Sequence, residues 1–518
     1  MSPTSTAPRR LTPARPAGFA PALRAEWTKF RTVRGWVTGM ITAALVMVGI
    51  ALLDHSECGG QPGPGGPVIV GYGCAAPIGP GGEAVTDSFY FAHRPLAGDG
   101  SITARVTALT LPGGSGPARL QPWSKTGIII EASTRPGSAY AAMLVTPGHG
   151  VRMQYDYTGD IAGLPGAVTP ATPRWLRLAR AGGTVTGYDS TDGTHWATVG
   201  TVHLAGLPGT APAGLFAAAP GSTTATSQSI TGSSSAGALT LATGHFDHVT
   251  LSGSSPSHGW AGTSVGGGPG DGAPGAGLRQ AGRAFTVTGT GDIAPGVGGQ
   301  AGTPIERTLT GVFGALIAVT VVAALFITAE YRRGLIRVTF AACPARARVL
   351  AAKAVVIGAV TSAAGLAGGA AAVTLGAALL RANGNFILPV SALTEIRVVA
   401  GTAALLAVTA VAALGVGTIL RHGAAAVAVL IVAIVLPYVL AVALPVLPVR
   451  AADWLLRVTP VAGFATQQTV QRYAQVAASY TPANGYYPLP PWAGFAVLCG
   501  WAALALAGAV FVLRRRDA

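Results

Sequence analysis

The residue types that carry most enzyme chemistry are scarce here, and their spacing excludes several reactions. Lysine occurs three times in 518 residues, at Lys29, Lys125 and Lys353, and none follows a glycine. A P-loop requires Gly-Lys-Ser/Thr so that backbone N–H groups and the ammonium cradle phosphates. The chain therefore has no P-loop and does not hydrolyse ATP through one. The stretch Gly289-Thr290-Gly291-Asp292 is not followed by the helix that a dinucleotide fingerprint needs. No Cys-x-x-Cys occurs, which leaves zinc and thioredoxin-like chemistry without ligands. Cys58 and Cys74 stand close together in a Gly/Pro-rich stretch. They are a candidate disulfide if that stretch lies outside the cell and two free thiols otherwise.

A glycosidase needs two carboxylates flanking one bond. The acids between residues 83 and 252 are Glu83, Asp87, Asp99, Glu131, Asp156, Asp160, Asp189, Asp192 and Asp247, most of them at turns, where Asp supports the backbone. No catalytic residue is assigned. Asp87 and Asp247 are the weak calcium candidates, since carboxylates suit that ion, but no Asp-rich ligand loop surrounds them. No other cofactor is expected in the chain. Trp123, Tyr155 and Tyr157 are candidates for stacking a ligand, against the plainer reading that aromatics in a sandwich fill its core.

The elements that must position these residues fall into two kinds. Half of the chain is hydrophobic, one tenth is charged and the mean hydropathy is +0.49, far below the quarter of charged residues usual in soluble domains. Six apolar runs reach the ~20 residues that span a bilayer: 36–53, 309–329, 350–380, 398–420, 424–447 and 492–513. The net charge of +15 is almost all arginine, gathered at the ends of these runs, which favours a membrane over nucleic acid. The basic residues are dense before the first run, between the second and third, and after the sixth, where Arg514, Arg515 and Arg516 stand. By the positive-inside rule this predicts six transmembrane helices with both termini cytoplasmic, and residues 54–307 outside the plasma membrane.

From 83 to 252 the helical period gives way to short runs rich in Val, Ile, Thr, Tyr and Phe between Gly/Pro turns, including a hairpin around Asp192-Gly193. This predicts an all-β sandwich, jelly-roll-like, inserted between helices 1 and 2. Before it, 1–22 is read as a disordered N-terminus and 54–82 as a Gly/Pro loop. After it, 253–303 is a Gly/Ser-rich linker with one extra strand at 285–288, and 220–244 is a loose loop. The stretches Trp175-x-Arg177-Leu178-x-Arg180, Gly187-Tyr188, Ser190-x-Asp192-Gly193-x-x-Trp196 and Phe246-Asp247-x-Val249-x-Leu251 resemble a concanavalin A-like, laminin G-like domain. Such motifs specify fold far better than ligand.

Residues 23–34 place Leu23, Trp27 and Phe30 on one helical face with basic residues around it, the pattern of an interfacial helix. Glu330 closes the second apolar run, where a carboxylate is costly unless paired, and Arg332, Arg333 or Arg337 is the expected partner. With the basic segment 330–353, these features resemble the permease subunit of a type-2 ABC exporter. The resemblance covers 23–53 and about 305–513. It implies that 23–53 is an elbow helix plus the first span. It also implies that Glu330, Tyr331, Arg332, Arg333, Leu335, Ile336, Arg337 and Phe340 belong to a coupling segment, and that the apolar ones form a knob docking on a separate ATPase. A homodimer or paired permease in the lipid bilayer is implied too. The alternative is a membrane-anchored surface receptor or glycan-binding protein without transport activity.

Overall fold

The computed structural model describes residues 18–53, 75–112, 120–166, 168–229, 232–238, 240–254, 259–266, 275–297, 301–442, 448–476 and 480–515. Cys58 and Cys74 lie outside the described residues, as does most of the N-terminal segment.

The chain begins with α1 (Phe19–Thr32) and α2 (Arg34–Leu52). A large β domain follows. Its strands are β1 (Val85–Asp87), β2 (Phe89–Thr110), β3 (Lys125–Glu131), β4 (Tyr140–Thr146), β5 (Gly150–Tyr155), β6 (Gly159–Ala162), β7 (Arg174–Ala181), β8 (Thr184–Ser190) and β9 (Ala197–His203), then β10 (Thr210–Ala218), β11 (Ser222–Ser229), β12 (Gly232–Ala238), β13 (Ala242–Ser254), β14 (Ala261–Val265), β15 (Gly277–Ala281), β16 (Ala284–Gly289) and β17 (Ile293–Pro295). The helical part resumes with α3 (Val312–Arg332), α4 (Leu335–Ala342), α5 (Arg346–Ala382), α6 (Ala392–Leu420), α7 (Gly423–Val442), α8 (Val449–Val458) and α9 (Pro491–Arg515).

Six helical stretches are long and apolar enough to cross a membrane: Arg34–Leu52, Ile305–Arg332, Arg346–Ala382, Ala392–Leu420, Gly423–Ala441 and Pro491–Arg515. They overlap all six apolar runs. The glycine-rich third run is one 37-residue helix, α5. Its glycines are contact points: a Cβ at Gly365 would come within 2.8 Å of Ala403 Cα, and one at Gly368 within 3.0 Å of Ala44 Cα. Small residues let helix backbones approach where lipid supplies no hydrophobic driving force.

Strand β2 organises the β domain. Its first half pairs with β10 and β14 (Phe91 opposite Phe216 and Thr263), and its second half with β7 and β13 (Ile102 opposite Leu178 and Leu251). The turn of direction falls at Gly98, whose φ of +68° is in the left-handed region open to glycine. One layer thus runs β14-β2-β10-β3-β4-β5-β6 and the other β15-β16-β13-β2-β7-β8-β9. Their facing residues, among them Ile128, Met143, Leu176, Leu178, Leu215 and Phe246, form one buried core. This arrangement is compatible with the expected sandwich. The β8–β9 hairpin closes at Gly193, with Asp192 Oδ1 accepting the N–H groups of Thr194 and His195.

Two stretches read as loose are strands. Within 220–244, β11 pairs with β12 and β13 begins. Within 253–284, β14 extends the first layer beside β2, and β15 extends the second beside β16. Their Gly/Ser/Thr composition hid them because backbone ladders to neighbours, rather than apolar alternation, hold such strands. The expected strand at 285–288 is β16. In β7 the three arginines do not share a face: Arg174 and Arg180 are on the buried side and Arg177 on the other. Arg177 points outward over Trp196 at 4.0 Å, whereas Arg180 lies on the buried face and donates to Gly182 O at 2.9 Å and to Pro208 O at 2.5 Å.

The outer face of the first layer is buried as well, under β1, β17 and Tyr157. There Lys125, fully buried, pairs with Asp292 at 2.7 Å and donates to Ile293 O at 3.0 Å. Below this layer the domain meets the helices. Thr303 exchanges backbone bonds with Phe386 and Leu388 in the α5–α6 connection, at 2.8 and 3.0 Å. Gln475, before α9, donates to Tyr157 O and Thr158 O at 3.3 and 3.2 Å.

Candidate functional site

The strongest concentration of charge within the helical part lies where α1, α3, α4 and α5 meet. Lys353, on α5 and fully buried, places Nζ 2.6 Å from Glu26 Oε2 of α1 and 2.8 Å from Glu330 Oε1 of α3. Lys29 Nζ reaches the same two acids, at 2.8 Å to Glu26 Oε1 and 3.0 Å to Glu330 Oε1, and lies 3.5 Å from Thr339 Oγ1 of α4. Two carboxylates and two ammonium groups thus form a charge-balanced cluster. Phe326 lies against it, its ring centroid 4.5 Å from Lys353 Nζ, and edges onto Trp36 and Phe30 at 4.9 and 5.7 Å.

The local sequence dictates this meeting. Glu26 and Phe30 lie four residues apart on one face of α1, and both are buried. Gly334, with φ of +69°, ends α3 and turns the chain directly into α4. Pro344 lacks the N–H that would continue α4, so the chain breaks again before α5 carries Lys353 back to the cluster.

Several expectations change here. Glu330 pairs with Lys29 and Lys353, not with Arg332, Arg333 or Arg337. Those arginines are exposed, while the lysines stand behind the acid on neighbouring helices. The inward face of α1 consists of Leu23, Glu26 and Phe30, and Trp27 is 47% exposed. The apolar knob is split by helix geometry. Ile336 is buried and Phe340 packs on the helical core and under Arg346, whose Cζ lies 5.5 Å from its ring. Leu335 is 49% exposed and Val338, outside the expected knob, 68%. Tyr331 is half-buried, with Arg421 Cζ 5.2 Å from its ring.

In the β domain the candidates do not converge. Trp123 is buried and lies flat on His149, ring centroids 3.7 Å apart. Tyr157 is buried with its hydroxyl 2.7 Å from Asp87 Oδ2, and Tyr155 packs on the core. These rings are structural and offer no open stacking platform. Asp87 also accepts the Gly137 N–H at 2.8 Å, whereas Asp247 pairs with Arg105 at 2.5 Å in the other layer. The two calcium candidates therefore do not share a site, and no cluster of three metal-ligating side chains occurs among the described residues. Burial raises the Asp87 carboxyl to about 6, against the opposing pull of the bonds from Tyr157 and Gly137. Glu131, also buried, is pushed up by burial and by the charge of Asp87.

No known protein family matches the sequence, and no curated protein matches it. Among solved structures, the chain is similar to a functionally unknown protein from Saccharomyces cerevisiae (TM-score 0.23, 14% identity, 35% of this chain and 84% of that one). It is also similar to a scytalido-glutamic peptidase bound to a transition state analog inhibitor (0.25, 9%, 39% and 98%). A third is a GH43 protein from Bacillus licheniformis (0.17, 16%, 23% and 24%). At these TM-scores none supports a functional inference.

Removing one member of the helical cluster should strand buried charge. Lys353→Met is expected to destabilise the purified chain by about 3–5 kcal/mol, read as a lowered thermal midpoint, and pairing it with Glu26→Gln should recover part of the loss. For Asp87, the folded state holds the proton more tightly than the unfolded chain does. Its contribution to stability is therefore present near pH 4 and is lost as pH rises to about 6. Stability curves across that range should flatten by roughly 3 kcal/mol or less in Asp87→Asn.

Proposed function

We propose that this chain is the membrane-spanning permease subunit of an ABC transporter, an exporter driven by a separate ATPase. In this reading the six apolar helices cross the plasma membrane with both termini cytoplasmic, and two permease chains pair. The β domain, of concanavalin A-like type, stands outside, where it binds an extracellular ligand or gates the path. The observation that carries the reading is the junction of α1, α3, α4 and α5. A helix preceding the first span is clamped by buried ion pairs to the ends of two spans, and a short helix between those spans stands free on one face. That is the arrangement a transmission element needs: an exposed contact rigidly joined to the helices that must move.

The three faces of α4 separate by helical spacing. Ile336, Phe340 and Cys343 point into the bundle, and Leu335, Val338, Thr339 and Ala342 face α1 across a cleft. Arg337 and Ala341 remain for the ATPase, continuous with the exposed turn at Pro344 and Ala345. The coupling contact is therefore assigned to Arg337 and Ala341, with Leu335 at its edge.

Arg337→Glu combined with Ala341→Arg should abolish copurification of the ATPase encoded beside this chain while leaving the thermal midpoint unchanged. Retention equal to the unmodified chain would refute the contact, and absence of any ATPase partner would favour the receptor reading. Orientation is checked separately in a chain whose four native cysteines are replaced by serine. Cysteine at position 279 or 450 should react with an impermeant reagent on intact cells, and cysteine at 337 only after permeabilisation.

A further inference from the structure

A cleft of about 750 Å³ opens between α1 and α4, beside the buried charge cluster. Its walls are apolar, formed by Trp36, Leu325, Leu335 and Val338, and Arg332 and Arg333 stand at its polar end. The acids that reach it, Glu26 and Glu330, are balanced by Lys29 and Lys353. The two arginines are left over as excess positive charge. Both are exposed and have no ion pair among the described residues. Leu325 precedes Arg332 by seven residues on α3, which sets it about 10 Å further along the helix axis, toward the middle of the span. It is partly exposed, as are Leu335 and Val338.

We infer that this cleft binds one anionic phospholipid. The headgroup phosphate accepts hydrogen bonds from Arg332 and Arg333, and an acyl chain runs along Leu325 and Trp36 beneath the amphipathic α1. Charge and depth together select this occupant. A soluble anion would leave the apolar wall uncovered, and a zwitterionic lipid, whose headgroup carries no net charge, would offset none of the excess charge of the arginine pair. Guanidinium groups suit phosphate oxygens because their planar N–H fork meets two acceptors at once. Basic pockets beside spanning helices bind anionic headgroups on the same grounds. The inference rests on the membrane placement proposed above and is independent of the ATPase, because its test needs only the purified chain.

The full-length chain, purified in detergent and stripped of lipid, is titrated with phosphatidylglycerol or phosphatidylcholine, and bound lipid is counted by native mass spectrometry. One phosphatidylglycerol should bind at least tenfold more tightly than phosphatidylcholine. Arg332→Gln with Arg333→Gln should abolish that preference. Val338→Trp, which fills the cleft without touching the charge, should weaken binding as well. Arg514→Gln with Arg515→Gln, at another basic helix end, should leave it intact. The inference is overturned by equal affinity for the two lipids, by equal loss in the Arg514/Arg515 variant, or by unchanged binding in the Arg332/Arg333 variant. Displacement of the lipid by millimolar inorganic phosphate would likewise overturn it, in favour of a simple anion site. Thermal midpoints of all variants establish that each is folded.

Discussion

The helical half of this protein depends on a desolvated ion cluster. Glu26, Lys29, Glu330 and Lys353 come from three helices and neutralise one another, with Glu26, Glu330 and Lys353 buried and Lys29 partly exposed at the cleft. Each charge is costly to bury and tolerable only while its partners stay in place. The position of α1 along the ends of α3 and α5 follows from that requirement, and the turns at Gly334 and Pro344 bring the chain back to satisfy it. The aromatic group of Phe30, Trp36 and Phe326 closes the cluster on its apolar side.

The β domain repeats the theme, in the buried pairs Lys125–Asp292 and Arg174–Asp189. Lys125 and Asp292 join β3 to the segment entering β17, beneath the face that turns toward the helices. All three lysines of the chain are therefore engaged with buried or nearly buried carboxylates, while the other thirty-one of its 34 basic residues are arginine. A compact ammonium with three rotatable donors can serve two carboxylates from different helices, whereas a guanidinium is a rigid planar fork. Three lysines among 34 basic residues are the sequence signal that marks these positions.

The apolar helices were legible because a bilayer-length run is a property of consecutive residues, and the hairpin at Asp192-Gly193 because its turn chemistry is local. What escaped depends on pairing across distance. The strands in 222–238 and 261–281 carry little apolar alternation and exist through their neighbours. The partner of Glu330 was sought among arginines within seven residues, yet Lys29 is 301 residues away in the chain and Lys353 is 23. Helical spacing puts Leu23, Trp27 and Phe30 on one face of α1, but nothing in the residue types shows that Glu26 is buried with Leu23 and Phe30 against the bundle. In the β domain, the carboxylates and aromatics that suggested ligand chemistry are engaged within the domain, Tyr157 with Asp87, Trp123 with His149 and Asp247 with Arg105.

Helices α3 and α5 are held at both ends. At one end, the buried cluster ties α3 and α5 to each other and to α1. At the other, Thr303, shortly before α3, is stitched by two backbone bonds to the connection that follows α5, and Gln475 caps the turn at Tyr157 and Thr158. Neither helix can tilt freely about one anchored end, as a helix with one loose terminus does. The pair has the form of a strut, fastened at the lysine end by the ion cluster and beneath the β domain by the two backbone bonds of Thr303.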